Sequence, residues 1–132
     1  MKTHFTIEEV AEQTGLTAYT LRYYERIGLI AAVGRSTSGQ RRYAASDMAW
    51  IAFLLRLRTT QMPIGMMQTF ATLRSRGDAT IPARRQLLEH HLQNTLASLE
   101  AMRQSAHELE VKIEHYKSIE QSTGNSGTSC AA

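Results

Sequence analysis

Residues 16–43 read LTAYTLRYYERIGLIAAVGRSTSGQRRY. Thr17 carries the short hydroxyl that accepts from free amides at a helix start, and Gly28 suits the left-handed conformation that ends one, so TAYTLRYYERI reads as a helix. Within it Leu21 and Ile27 are spaced to face a core, while Thr17, Tyr19, Thr20, Arg22, Tyr23 and Arg26 face outward. Upstream, Thr6 followed by Glu9 has the pattern of a capping box, and Ile7, Val10 and Ala11 then share one face of a helix over about 7–14. Gly15 supplies the turn and Leu16 anchors it. Two short helices joined by a glycine-containing turn make a helix-turn-helix pattern.

Working outward, AAVGRSTSGQRRY is rich in Gly and Ser and has no helical period. It reads as a β-hairpin, with GRSTSG turning between two short strands and Tyr43 closing the second. The turn is expected to point Arg35, Arg41 and Arg42 outward beside the exposed face of the second helix. Ser46 and Asp47 are expected to cap a third helix, largely core, in which Met48, Ile51, Phe53, Leu54, Leu55 and Leu57 accompany Trp50. Pro63 can occupy the first turn of a fourth helix that ends near Gly77, because its missing amide costs nothing there. GDATIP is a short break.

Beyond Pro82 no Gly or Pro occurs up to about residue 119, and Leu88, Leu92, Thr95, Leu99, Met102, Ala106, Leu109, Ile113 and Tyr116 alternate in steps of four and three. This is a sustained heptad seam. A helix of that span is about 55 Å long, farther than the small preceding domain can cover. Its stripe therefore calls for a partner helix, most simply one from a second copy of the chain. The tail QSTGNSGTSCAA has the composition of a disordered end. The expected organisation is mainly α: a winged helix-turn-helix domain over 1–77, a long dimerising coiled-coil helix over 78–119 and a tail over 120–132.

Net charge is only +3, yet residues 1–80 hold ten Lys/Arg against six acids, a balance of +4, and residues 81–132 a balance of −1. A polyanionic partner is thus expected for the first part alone. The second helix of a helix-turn-helix enters the major groove. Arg22 can bond guanine edges or phosphate there, and tyrosine and threonine hydroxyls can bond phosphate oxygens. No apolar run has membrane-spanning length and MKTHFTIEEVAEQTG lacks the apolar core of a signal peptide, so a cytoplasmic protein with no membrane partner is expected. The single cysteine, Cys130, offers neither a disulfide framework nor a thiol cluster. His90, His91, His107 and His115 on the long helix include no i, i+4 pair and read as solvated or interfacial; Met62, Met66 and Met67 read as packing. No metal site and no cofactor are expected.

The ordered set TLRYYERIGLI, SGQRRY and SDMAWI resembles the N-terminal domain of the MerR family of bacterial transcriptional regulators, closely over about residues 5–77, with the long helix extending the match to about 119. The resemblance implies a homodimer held by an antiparallel coiled coil through Leu88, Leu92, Leu99, Met102, Ala106, Leu109 and Ile113. It implies a palindromic site in double-stranded promoter DNA whose flanking elements are set too far apart. An effector-bound dimer bends and untwists that spacer so that RNA polymerase engages both elements. By position, Arg22 is the implied reading-helix contact, with Tyr23 and Tyr24 contacting phosphate or supporting it. Arg35 and Arg41 match the wing arginines and Tyr43 the aromatic that ends the wing. Members often have Tyr where this chain has Gln40, whose amide can still bond phosphate.

Metal-sensing and redox-sensing members carry cysteine sets that are missing here, and drug-binding members append a ligand domain for which 132 residues leave no space. The chain is most similar to the short subgroup linked to aldehydes and other electrophiles. Some of those use a cysteine in the third helix, near where Arg56 stands, so thiol-adduct chemistry is not expected there. The small effector is not identified by the sequence. Three classes compete: a ligand-responsive regulator, an effector-independent architectural DNA-binding protein, and a coiled-coil adaptor without DNA binding. The wing and the LRYYE motif disfavour the adaptor. An enzyme comes last, because no set of nucleophile, base and oxyanion donors is visible.

Overall fold

The computed structural model describes residues 4–31 and 34–126. The chain divides into two units, Met1–Glu89 and His90–Ala132. The first contains strand β1 (His4–Phe5), helices α1 (Ile7–Thr14) and α2 (Ala18–Arg26), strands β2 (Gly34–Arg35) and β3 (Arg41–Ala44), and helices α3 (Ala45–Thr59) and α4 (Ile64–Ser75). A single 3₁₀ turn, Asp78–Thr80, leads into α5 (Ile81–Ser126), whose first residues belong to this unit and whose remainder forms the second.

Local chemistry sets the helix ends. At α1 the Thr6 hydroxyl accepts from the Glu9 amide at 3.2 Å, and the Glu9 carboxylate accepts from the Thr6 amide at 3.0 Å. These two bonds are the expected capping box. At α2 the Thr17 hydroxyl accepts from the Thr20 amide at 3.0 Å and donates to the Thr20 hydroxyl at 2.9 Å. Gly28, at φ 83°, takes the left-handed conformation, after which the Leu29 and Ile30 amides both turn back to the Tyr24 carbonyl at 2.9 and 3.2 Å.

The hairpin closes as β2 and β3, pairing Gly34 with Arg42 and Arg35 with Arg41. A third strand, β1, lies on the other side of β3, pairing His4 with Ala44 and Phe5 with Tyr43. It is two residues long, too short for any periodic pattern to announce it. Helix α3 starts one residue ahead of the expected Ser46–Asp47 cap. Ala44 is the N-cap residue, Ser46 lies inside the first turn, and Asp47 reaches back to accept from the Ala44 amide at 2.8 Å. A carboxylate at that third position caps as well as one at the N-cap itself.

The core of the first unit joins Ile7 and Val10 of α1, Leu21 and Tyr24 of α2, Leu29, Ile30 and Tyr43 to Trp50, Ile51, Leu54 and Leu57 of α3. Met62, Met67 and Phe70 complete it. Leu87 and Leu88, from the first residues of α5, pack against this cluster. Leu88, assigned by the heptad count to the dimer seam, thus faces the first unit's own core. The start of the stripe packs on this core while Leu92 and later members are exposed, and periodicity alone does not mark where the one gives way to the other.

Helix α5 holds 46 residues, about 69 Å at 1.5 Å per residue. It runs to Ser126, past the expected end near 119, so the first part of the expected disordered tail is helical. Once nucleated, a helix gains a hydrogen bond for each residue added, and the one glycine there, Gly124, costs only about 1 kcal/mol against alanine. Residues 127–132, including Cys130, lie outside the described residues. In the second unit Leu92, Leu96, Leu99, Met102, Leu109, Val111 and Ile113 are exposed. Among the described residues no helix is long and apolar enough to cross a membrane, and no group of three or more His, Cys, Asp or Glu could hold a metal ion.

Candidate nucleic-acid interface

Helix α2 divides its side chains cleanly. Leu21 and Tyr24 are buried and Ile27 half-buried, while Tyr19, Arg22, Tyr23 and Arg26 are exposed, Tyr19 to 72%. Arg26 lies over the Tyr23 ring with its guanidinium carbon 5.7 Å from the centroid, which holds both side chains on the same outward strip. Thr17 is exposed and Thr20 half-buried, and their hydroxyls are engaged with one another at the cap. Tyr24, read from the sequence as a phosphate-contacting or supporting residue, is 2% exposed. It can only support. Its position, three residues after Leu21 and three before Ile27, already placed it on the core face.

Tertiary contacts fix the end of this helix. The Trp50 indole N–H donates to the Leu29 carbonyl at 2.8 Å, and the Gln68 amide donates to the Ile27 carbonyl at 3.0 Å. Trp50 in turn stacks on Phe70 at 5.8 Å and 9°, and the Arg74 guanidinium carbon lies 4.4 Å from its ring centroid. Both carbonyls belong to the loop that leaves α2, so α3 and α4 act as its backing.

The wing does not present its three arginines alike. Successive side chains of a strand point to opposite faces, and along β3 Arg41 is half-buried, Arg42 exposed and Tyr43 fully buried. Arg41 therefore shares a face with Tyr43, and Arg42 has the opposite one. The expectation that Arg35, Arg41 and Arg42 all point outward is corrected for Arg41. Its Nε donates to Glu25 Oε2 of α2 at 2.8 Å, with side chains only 21% and 16% exposed. Arg35 is exposed, its guanidinium donating to the Gly39 carbonyl at 3.1 Å across the wing tip. Gly39 sits at φ 86° in that tip, closed by the Ser36 amide on the Gln40 carbonyl at 2.8 Å. Gln40 is exposed beside it.

Arg22, Arg35 and Arg41 line one hollow of about 240 Å³ together with Thr6, Ile7, Glu8, Gly39 and Gln40. Three guanidinia from the second helix and the wing thus meet at the start of α1, where unpaired helix amides add positive potential. Tyr43 lies within their field. Burial, and after it the Glu25 carboxylate, push its phenol above the ordinary 10.0, while Arg41, Arg22 and Arg35 pull it down. Its hydroxyl is buried without a hydrogen-bond partner among the described residues. Tyr43, expected as the aromatic that ends the wing and as part of the DNA-binding set, is a core residue beneath the site and presents no surface to DNA. Sequence reasoning also missed Glu25, Gln68 and the part of α1. The Glu25–Arg41 pair spans 16 positions, and no local pattern signals a bond of that range.

Comparison with known proteins agrees with this geometry. A model of the MerR family regulatory protein matches residues 6–43, the two helices and the wing. The transcriptional regulator AdhR of Bacillus subtilis is 43% identical over 90 residues, 68% of this chain and 64% of AdhR, so the match spans just under two thirds of that relative. An uncharacterised helix-turn-helix transcriptional regulator of Haemophilus influenzae is 34% identical over 86% of this chain and 84% of its own. Among solved structures, HiNmlR, a MerR family regulator lacking the sensor domain and bound to promoter DNA, superposes with a TM-score of 0.79 at 32% identity. That match covers 95% of this chain and 96% of HiNmlR.

Proposed function

Since the chain belongs to the MerR family and is a helix-turn-helix transcriptional regulator, we propose that α2 enters the major groove of promoter DNA with Arg22 as its base-reading residue. Tyr19, Tyr23 and Arg26 flank it, and the wing holds the neighbouring backbone through Arg35 and Gln40. The observation that carries this reading is the convergence of Arg22, Arg35 and Arg41 on one hollow at the head of α1. Glu25 pairs with Arg41, and Arg22 and Arg35 remain as exposed cations that a DNA phosphate can bind while releasing counterions.

The protein acts as a homodimer joined through α5, on a pseudo-palindromic site. It distorts the promoter spacer for RNA polymerase in response to a small effector. The match with almost the full length of a regulator lacking the sensor domain supports a response built into this chain rather than into an appended domain. The test is a titration of wild type and Arg22→Ala on variants of a promoter fragment at several salt concentrations. Loss of preference at one base pair in each half-site is the expected result. Equal loss on every sequence removes Arg22 from the reading role.

A further inference from the structure

We infer that Glu25 is a positioning residue that sets the angle of the wing against the reading helix by gripping Arg41. The inference rests on the DNA-binding reading above and concerns a residue that the reading does not use.

An acid in the middle of a phosphate-binding surface works against association. Glu25 stands next to such a surface: its carboxylate bonds Arg41, which lines the hollow with Arg22 and Arg35. The geometry supplies the reason for its presence. Arg41 Nε donates to Glu25 Oε2 at 2.8 Å, the two side chains are withdrawn from solvent to 21% and 16% exposure, and the bond joins β3 directly to the last turn of α2. Using Nε leaves the two terminal nitrogens of the guanidinium for the hollow that Arg41 lines with Arg22 and Arg35. Among the described residues that follow α2, the Leu29 and Ile30 amides tie back to the Tyr24 carbonyl. The strut thus holds the turn-side end of β3 to α2, while β1 pairs with the other end of that strand at Tyr43 and Ala44.

Glu25→Gln separates the possible roles by the sign of two measurements. Removing a negative charge from the surface strengthens non-specific DNA binding through long-range attraction. Loosening the wing weakens binding only where helix and wing must fit together, on the specific site. The duplex to use is one enriched from a random library by the wild-type full-length chain, compared with a scrambled duplex of equal length. Operator affinity is expected to fall about tenfold, as for loss of one charge-assisted contact, while affinity for the scrambled duplex stays the same or rises. Glu25→Asp keeps the charge but shortens the reach, and it is expected to lose operator affinity without the rise on the scrambled duplex.

Thermal midpoints of all three proteins complete the test. If Glu25→Gln strengthens binding to both duplexes, the residue is only a charge and the inference is overturned. It is overturned equally if both affinities fall together with the thermal midpoint, which marks a folding role. Unchanged affinities for both duplexes in both variants overturn it while leaving the DNA-binding reading intact. A wild-type chain that enriches no sequence at all defeats that reading, and the strut with it.

Discussion

Leu21, Ile51, Leu54 and Met67 of the first unit are shut away from solvent, whereas Leu92, Leu99, Met102 and Leu109 of the second remain more than half exposed. Both sets are apolar residues at helical spacing. They differ in what their own segment provides: in Met1–Glu89, helices and a small sheet close around a common centre, while the described residues of His90–Ala132 form one helix whose apolar stripe stays exposed. A lone helix gains little from propensity, and solvent-screened surface pairs such as Glu100–Arg103 and Glu114–Lys117 add little to it. The first unit carries its stability within itself. The second does not, and on the proposed reading a partner helix covers its heptad stripe.

The comparison breaks most visibly at Leu99, 60% exposed in the single chain and near the middle of the stripe. Leu99→Asp is expected to place an unpaired charge in each partner helix, at a cost of several kcal/mol. The result is a monomer that retains the helical signal of the first unit and loses operator affinity by about 100-fold or more, the gain that joining two half-site readers brings. Sedimentation and operator titration on one sample check both halves. A variant that stays dimeric with wild-type affinity means that α5 does not join the subunits.

Next in size is Arg22→Ala, expected to cost about 1–3 kcal/mol on the operator and to relax preference at one position per half-site. This sharpens the comparison from the other side, since the damage is confined to the self-contained unit. Circular dichroism and oligomeric state should match wild type. A change in either would mean that Arg22 serves the fold as well as the DNA.

The same contrast explains what the sequence made legible. Caps and turns are local chemistry, so Thr6 with Glu9, Thr17, Gly15 and Gly28 placed α1 and α2 to within a residue. Strand alternation is equally local. It marks Arg41 and Tyr43 as sharing one face of β3, and it was overridden when all the wing arginines were read as outward. The family resemblance suggests a phosphate contact for Tyr24, whereas helical spacing turns it inward, and Tyr24 and Tyr43 are both buried. Bonds across the fold were beyond reach. Glu25 with Arg41, Trp50 with Leu29 and Gln68 with Ile27 depend on which elements become neighbours, and nothing in the intervening residues encodes that. The end of α5 escaped for another reason: polar composition does not stop a helix that is already running.

A smaller effect separates the two faces of the wing. Arg35→Ala should weaken binding to all sequences by a similar factor and lower the salt slope by about 1, as for one phosphate contact. Arg42→Ala, on the other face of β3 from the hollow, should change the slope less. Titrations from low to moderate salt on operator and scrambled duplexes distinguish them, and a larger slope change for Arg42→Ala would put the DNA on the opposite face.

The smallest effect concerns Tyr43, and its sign is the informative part. A buried hydroxyl without a partner forfeits its bonds to water, a penalty of about 1–3 kcal/mol that the ring's packing must outweigh. Tyr43→Phe keeps the ring and deletes the penalty, so stability at neutral pH should be unchanged or raised by up to about 1 kcal/mol. At high pH the expected effect follows from linkage. The phenol's folded pKa lies above its ordinary 10.0, chiefly through burial. Above that ordinary value the unfolded chain releases the proton while the folded chain retains it. Stability is therefore intact below pH 10 and falls as pH rises from there through the folded pKa. Tyr24 is raised in the same direction, again chiefly by burial, so one of two contributors remains in the variant. Denaturant titrations at pH 7 and above pH 10 should show Tyr43→Phe losing less stability across that range than wild type. Operator binding at neutral pH should be unaltered, because the ring has no surface to offer DNA. A clear loss of operator affinity with an unchanged fold would mean that Tyr43 leaves the core when DNA binds.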